Sequence, residues 1–464
     1  MFSQEICQQA RLSRDRRYDG LFYIAVKTTG IYCRPVCPVQ PPYEHNVRYF
    51  PTAHAAAQAG YRPCLRCHPD SAPGSSLWLG ADITLKRAVR LIEEGALQQH
   101  SLQQLAQRLG ISERYLRKLF QQKLGISAKQ YALYRQVLFA KQLLHQTSYA
   151  ITDIAYMAGF ASLRRFHDEF KQQLQLTPSQ VRGNRSNHVT PELTLELPYR
   201  PPYNWPLMLA FYQHRTLTDM EWVDGQRYGR TIYWPLHAPE HTGWFEVEPL
   251  LSKSALRLRV VWPDAATLQP VVQRIRQLLD LDADSTTIDQ HVGLSLPVVH
   301  QGLRVPGLWS AFEAAVRAVL GQQVSIAGAR TQLNRLLQGT ASTELTDGKR
   351  RFISPKELAA SELDMIKVPQ ARRDTLHALA CYVVENPDST PDSWLSIKGI
   401  GPWTVSYANM RGLQDPDVWL GGDLGIQKAL ANVSLKPDAL APWRSYATFQ
   451  LWHAKTPTTD ATNA

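Results

Sequence analysis

Four cysteines within 35 residues constrain this 464-residue chain more than any other feature: Cys33-Arg-Pro-Val-Cys37 is followed by Cys64-Leu-Arg-Cys67. The surrounding segment is crowded with turn formers, among them Gly30, Pro35, Pro41, Pro51, Gly60 and Pro69, and has few long periodic stretches. Such a segment offers little core and needs a staple. Four thiolates in two short pairs can close a tetrahedron of Zn–S bonds around one ion, so the pattern reads as a Zn2+ site before a disulfide framework. The plainer alternative, buried structural cysteines without metal, suits a core-poor segment less well. Cys7 and Cys381 stand apart and read as ordinary free thiols.

The charge is as uneven as the cysteines. Residues 1–189 hold 25 Lys+Arg against 12 Asp+Glu, a net +13, whereas the rest of the chain holds 26 against 28, a net −2. A basic first half implies contact with a polyanion, and a nearly neutral second half must work through specific features. A basic surface serving solubility alone is the competing explanation. The first twenty residues carry Arg11, Arg14, Arg16 and Arg17 with no apolar run, and no later stretch approaches the roughly 18 apolar residues a bilayer requires. The expectation is a cytoplasmic chain with no membrane partner.

Hydrophobic residues make up 44% of the sequence, enough for several cores. Punctuation divides them into a zinc-bound domain over 1–75, an all-helical domain over 80–185, a mixed α/β subdomain over 190–300 and a mainly helical domain over 301–455. The joins are Ser71-Ala-Pro-Gly-Ser-Ser76 and Arg182-Gly-Asn-Arg-Ser-Asn-His188. The fold class is therefore multidomain α+β.

In the helical segment, Ser101 to Phe120 has a short amphipathic stretch, Gly110 at a turn, Ser112 placed to cap and a basic second helix. That is a helix-turn-helix pattern, and it recurs from Ile151 to Phe170 around Gly159 and Ser162. Two such units can occupy neighbouring major grooves. Arg114, Arg117, Arg164 and Arg165 lie early in the two second helices and are candidates for base or phosphate contacts.

In the second half, Gly399-Ile-Gly401 leads into a helix, where a glycine-rich turn offers N–H groups to a DNA phosphate. Gly421-Gly422-Asp423 sets a carboxylate at the entry to another helix. Alone, each is weak: an Asp at a helix start is more often a cap, and a single aromatic more often core.

Longer motifs resemble known families. Thr28-Thr-Gly-Ile-Tyr-Cys33-Arg-Pro-Val-Cys37 and Tyr61-Arg-Pro-Cys64-Leu-Arg-Cys67 resemble the N-terminal domain of the Ada methylation-response proteins, and Ile151 to Gln180 resembles the AraC-family signature. Pro201 to Phe211, Leu320-Gly-Gln-Gln-Val-Ser325, Gly399-Ile-Gly-Pro-Trp-Thr404 and Pro442-Trp-Arg-Ser-Tyr-Ala447 are similar to AlkA-type 3-methyladenine DNA glycosylases of the helix-hairpin-helix superfamily. The whole chain resembles an Ada–AlkA fusion.

Arg62 and Arg66, beside the second cysteine pair, are candidate phosphate contacts, with solvated surface charge as the alternative. The resemblance implies that Cys33 is both zinc ligand and acceptor of a methyl group from a DNA methyl phosphotriester. Zinc would then be structural and thiolate-activating. It implies that Asp423 is the carboxylate of a glycosylase excising alkylated purines, that Trp403, Tyr407, Trp443 and Phe211 form the base pocket, and that Gly399, Gly401 and Gln323 meet DNA. Electron-rich rings would select a cationic methylated base by stacking and cation–π attraction. No cofactor is implied for that chemistry. The implied partners are double-stranded DNA, both alkylated and promoter, and RNA polymerase.

Three differences from the families matched carry consequences. Lyase-competent relatives place a lysine where this chain has Trp403, and Lys398 lies on the hairpin, so a monofunctional enzyme is expected. Gln323 stands where the best-known AlkA has a leucine wedge, and no Pro-Cys-His-Arg motif occurs, so the O6-methylguanine methyltransferase half of Ada is expected to be missing. The rival readings are a transcription regulator whose glycosylase half only binds DNA, and an enzyme merely tethered by its first half.

Overall fold

A computed structural model describes residues 2–15, 18–19, 21–37, 39–64, 67, 69, 83–183, 192–250, 252–296, 300–345, 347–430 and 435–453. The chain forms two compact units, Met1–Glu196 with Asp264–Arg274, and Leu197–Pro263 with Ile275–Ala464. Among the described residues no helix is long and apolar enough to cross a membrane.

The first unit opens with a helix, Gln4–Leu12, capped by Ser3. Strand β1 (Tyr23–Val26) pairs antiparallel with β2 (Ile31–Cys33) and β3 (Val47–Phe50), and β2 runs parallel to β4 (Arg62–Pro63). Gly30, at φ +62°, reverses the chain between β1 and β2 and donates its N–H to Val26 O at 2.9 Å. Because side chains alternate along a strand, Tyr23 and Ala25 pack on Ala53, Ala56 and Tyr61, while Ile24 packs on Val47, Ala10 and Cys7. The segment expected to offer little core has two small clusters. Cys7 is a free thiol, as expected, and at 1% exposure it packs in one of these clusters.

The first helix-turn-helix is Leu102–Arg108 followed by Glu113–Leu124, and the second is Ile151–Met157 followed by Leu163–Leu174, with Ala128–Gln146 between the two pairs. Ser112 and Ser162 cap the second helices by accepting from Tyr115 N and Arg165 N. Gly110 and Gly159 take φ +69° and +80° at the turns, a region that strains an L side chain. Leu105, Leu116 and Phe120 fill the first core, and Phe166 meets Phe160 and Phe170 edge-on in the second.

The second unit combines a sheet with a helical layer. Strands β5 (Glu221–Asp224), β6 (Arg227–Trp234), β7 (His241–Leu250) and β8 (Ala255–Val261) form an antiparallel meander in chain order. A buried ion network ties this sheet to the helix Ala311–Gly321: Arg230 meets Glu313 at 2.9 Å, and Arg317 meets Glu221 at 2.9 Å and Glu313 at 2.8 Å. Arg230 and Glu313 are 1% and 0% exposed, so removing either would strand a buried charge, at a cost of about 3–5 kcal/mol. Helices Ile326–Gln338, Gln370–Glu385, Pro402–Gly412, Leu424–Ala429 and Arg444–His453 complete the layer.

Candidate active site and metal centre

The four Sγ atoms of Cys33, Cys37, Cys64 and Cys67 lie within 4.8 Å of one another, with Cys37 and Cys64 4.0 Å apart. A tetrahedron of Zn–S bonds near 2.3 Å has edges of about 3.8 Å, so this all-sulfur donor set fits zinc. Hydrogen bonding with Cys37, and then with Cys64, holds the Cys33 thiol well above its usual range, while bonding from Cys33 brings Cys37 below it. Protons shared among crowded sulfurs are what a divalent cation displaces. Cys33 and Cys37 are half-buried, and Cys64 and Cys67 are sealed.

Arg34, which the sequence alone did not single out, organises this centre. Its backbone N–H donates to Cys67 Sγ at 3.4 Å, its guanidinium donates to Cys67 O at 3.2 Å, and Nε donates to Asp19 Oδ1 at 2.8 Å. Arg62 lies on β4, half-buried. Arg66 lies outside the described residues. In the helix-turn-helix pairs, Arg114, Arg164 and Arg165 are exposed on the second helices. Arg117 is exposed too, but its Nε donates to Glu113 Oε1 at 2.9 Å within the same helix.

In the second unit, a cavity of about 350 Å³ is lined by Arg215, Trp403, Tyr407, Arg411, Asp423 and Trp452, among others. Asp423 is the N-cap of the helix Leu424–Ala429, its Oδ1 accepting from Gly425 N at 2.8 Å and Ile426 N at 3.2 Å. The same oxygen accepts from Trp452 Nε1 at 3.0 Å, and Oδ2 accepts from Trp403 Nε1 at 3.3 Å. The capping role and the cavity role thus coexist in one carboxylate. Trp403 stacks on Tyr407 at 5.3 Å, one helical turn apart, and Tyr407 Oη accepts from Arg411 at 2.8 Å.

Two of the four aromatic candidates do not reach this cavity. Trp443 is buried edge-on to Tyr446, ahead of the last helix, and the cavity-lining indole is Trp452 near that helix's end. Phe211 is 6% exposed and lies beneath two cations, with the Arg215 guanidinium 3.7 Å and the Arg411 guanidinium 4.8 Å from its ring centre. The available signal for Trp452 was its place three residues beyond Phe449, an i,i+3 pair on one helix face.

The loops beside the cavity are tied together. Gly399 has φ +91°, and a Cβ there would sit 2.1 Å from Thr375 Oγ1, which itself donates to Lys398 O. Gly401, the N-cap of Pro402–Gly412, has open space around its Cα. Gln322 Nε2 donates to Thr404 Oγ1 at 3.1 Å, fixing the turn in which Gln323 is exposed at φ +56°. The neighbouring Val324, 45% exposed, lines the cavity.

Three family models match the chain: the metal binding domain of Ada over 6–70, a helix-turn-helix domain over 105–184 and the AlkA N-terminal domain over 194–310. A probable bifunctional transcriptional activator/DNA repair enzyme AlkA of Mycobacterium tuberculosis is 35% identical, covering 97% of this chain and 96% of its own. The DNA-3-methyladenine glycosylase 2 of Escherichia coli is 30% identical over 56% of this chain and 96% of its own, and the bifunctional activator/repair enzyme AdaA of Bacillus subtilis is 33% identical over 38% and 80%.

Proposed function

Because the chain belongs to the family of bifunctional transcriptional activator/DNA repair enzymes that join Ada-type and AlkA-type domains, we propose that its second unit is a monofunctional DNA-3-methyladenine glycosylase acting on alkylated purines in the cytoplasm. The observation that carries this reading is Asp423 held by four N–H donors at a cavity faced by the Trp403–Tyr407 stack. A duplex base reaches such a cavity only by flipping out of the stack. A fixed carboxylate beside the sugar stabilises positive charge as the C1′–N bond lengthens, and orients the water that completes hydrolysis. Among the described residues that line the cavity none is a lysine, and Lys398 is exposed on the hairpin; without an amine beside the sugar, the base would be released with the strand left intact. Gly399 and Gly401, in the turn before the helix that carries Trp403, and Gln323, next to the cavity-lining Val324, would be contacts to the duplex.

The test is release of free methylated purines from dimethyl-sulfate-treated DNA by the intact chain beside Asp423→Asn. Release that vanishes in the variant is the expected result. No release by folded wild type would leave the second unit a DNA-binding module serving a regulator.

In the first unit, Cys33, Cys37, Cys64 and Cys67 would hold zinc, which as a Lewis acid keeps its thiolates deprotonated and nucleophilic. The half-buried Cys33 is the proposed methyl acceptor: the phosphotriester methyl C–O bond breaks, a C–S bond forms, and the phosphate regains its negative charge. The exposed arginines of the two helix-turn-helix pairs would bind promoter DNA, with RNA polymerase as the partner of an activator. Intact mass after exposure to methyl-phosphotriester DNA tests this, with a gain of one CH2 in wild type and none in Cys33→Ala.

A further inference from the structure

The cavity is not the purely aromatic box that selection of cationic bases by electron-rich rings would call for, because arginines contribute to its wall. Two of them, Arg317 and Arg411, have several partners. Arg317 is neutralised by Glu221 and Glu313. Arg411 donates to Pro306 O and Tyr407 Oη, and Arg330 donates to His214 O at 3.4 Å. Arg215 and Arg330 each have one backbone acceptor among the described residues, but of these two only Arg215 also sits over a ring, its guanidinium carbon 3.7 Å from the Phe211 centroid while it donates to Phe211 O at 3.3 Å. Burial, with Arg411 and Arg317 adding repulsion, lowers its pKa to about 10, which still leaves it charged at neutral pH.

Resting on the glycosylase reading above, we propose that Arg215 is a specificity-determining residue that directs the cavity toward neutral bases with a hydrogen-bond acceptor edge, such as the oxopurine hypoxanthine. The chemistry follows from where the electron pair goes. Hydrolysis forms a bond from water oxygen to C1′ and breaks C1′–N9, whose pair leaves with the base. A 7-methylguanine, cationic in DNA, departs neutral, and the proton from water goes to solvent. A hypoxanthine, neutral in DNA, departs as an anion whose charge spreads to N7 and O6 until it takes up that proton. A guanidinium in the cavity wall repels the first substrate before cleavage and stabilises the second as it leaves. Arg215 therefore acts on the two bases in opposite senses, which a residue that merely shapes the cavity cannot do.

The experiment compares single-turnover excision from duplexes carrying one hypoxanthine or one 7-methylguanine, using the full chain as wild type, Arg215→Met and Arg215→Lys. In Arg215→Met, hypoxanthine release is expected to fall about tenfold or more while 7-methylguanine release holds or rises. Arg215→Lys keeps the cation and should retain part of the hypoxanthine activity. Equal losses on both bases in both variants would overturn the assignment in favour of a structural role. So would wild type releasing 7-methylguanine but no hypoxanthine. If wild type releases neither base, the glycosylase reading itself falls and takes this inference with it.

Discussion

Trp452 donates its indole N–H to Oδ1 of Asp423 at 3.0 Å, and the same oxygen caps the helix Leu424–Ala429. A side chain near the end of the last helix thus orients a carboxylate at the start of an earlier one. Three donors on Oδ1 leave Oδ2, with its single contact to Trp403, as the oxygen with capacity for sugar or water.

Asp423→Asn should therefore separate activity from stability. Asn caps a helix about as well as Asp, so the melting curve should barely move, while the lost charge and an amide N–H facing Trp403 should abolish base release. Asp423→Ala should lose release as well and cost about 1 kcal/mol of stability through the missing cap. Thermal melts beside the release assay decide both.

The two tryptophans make a second test. Trp452→Phe removes a hydrogen bond to a charged group, worth about 1.5–3 kcal/mol, and should slow base release about tenfold or more. Trp443→Phe lies outside the cavity and should leave the release rate within about twofold, its effect confined to the melt.

The hairpin glycines should respond differently to the same change. Gly399→Ala drives a Cβ into Thr375 at a left-handed φ and should cost about 2 kcal/mol or more. Gly401→Ala meets open space at φ −102° and should leave the melt nearly unchanged, so any loss in a DNA-binding assay would report close approach of the DNA backbone.

Metal analysis should find one zinc per chain, lost on Cys64→Ala or Cys67→Ala together with folding of the first domain. Acidification should release the ion as thiolates take up protons.

Asp280 gives a pH dependence with a definite sign. Burial, the largest cause, raises its pKa from 3.8 to about 6 against the opposing charge of Arg304, a cost of about 3 kcal/mol at neutral pH. A folded value above the unfolded one means the associated stability is fully present below about pH 4 and is lost as pH rises through 6. Asp280→Asn should flatten the decline across that window in urea titrations.

The features legible in the sequence were those in which chemistry lies within a few residues of itself. Paired cysteines three or four residues apart, Ser112 and Ser162 before their helices, Gly110 and Gly159 at turns, and Asp423 after two glycines are all local, and local geometry follows from backbone sterics and helical periodicity. The cysteine cluster and both helix-turn-helix pairs could thus be read directly. The core of the first domain was less legible, because short strands and a small helix hide their alternation among the prolines.

What faces the cavity was decided only by tertiary structure. Successive helical residues point about 100° apart, so whether Trp443 or Trp452 reaches Asp423 depends on where the last helix begins and how it is rotated against its neighbours. Arg215 and Arg411 come from distant parts of the chain and both approach one ring, Phe211, at 3.7 and 4.8 Å from its centre, and no spacing rule brings Arg411 there. The sequence by itself determined which local chemistries this protein carries; long-range packing decided which side chains share a cavity, because contacts between distant segments depend on the burial of whole helix faces and not on the residues beside them.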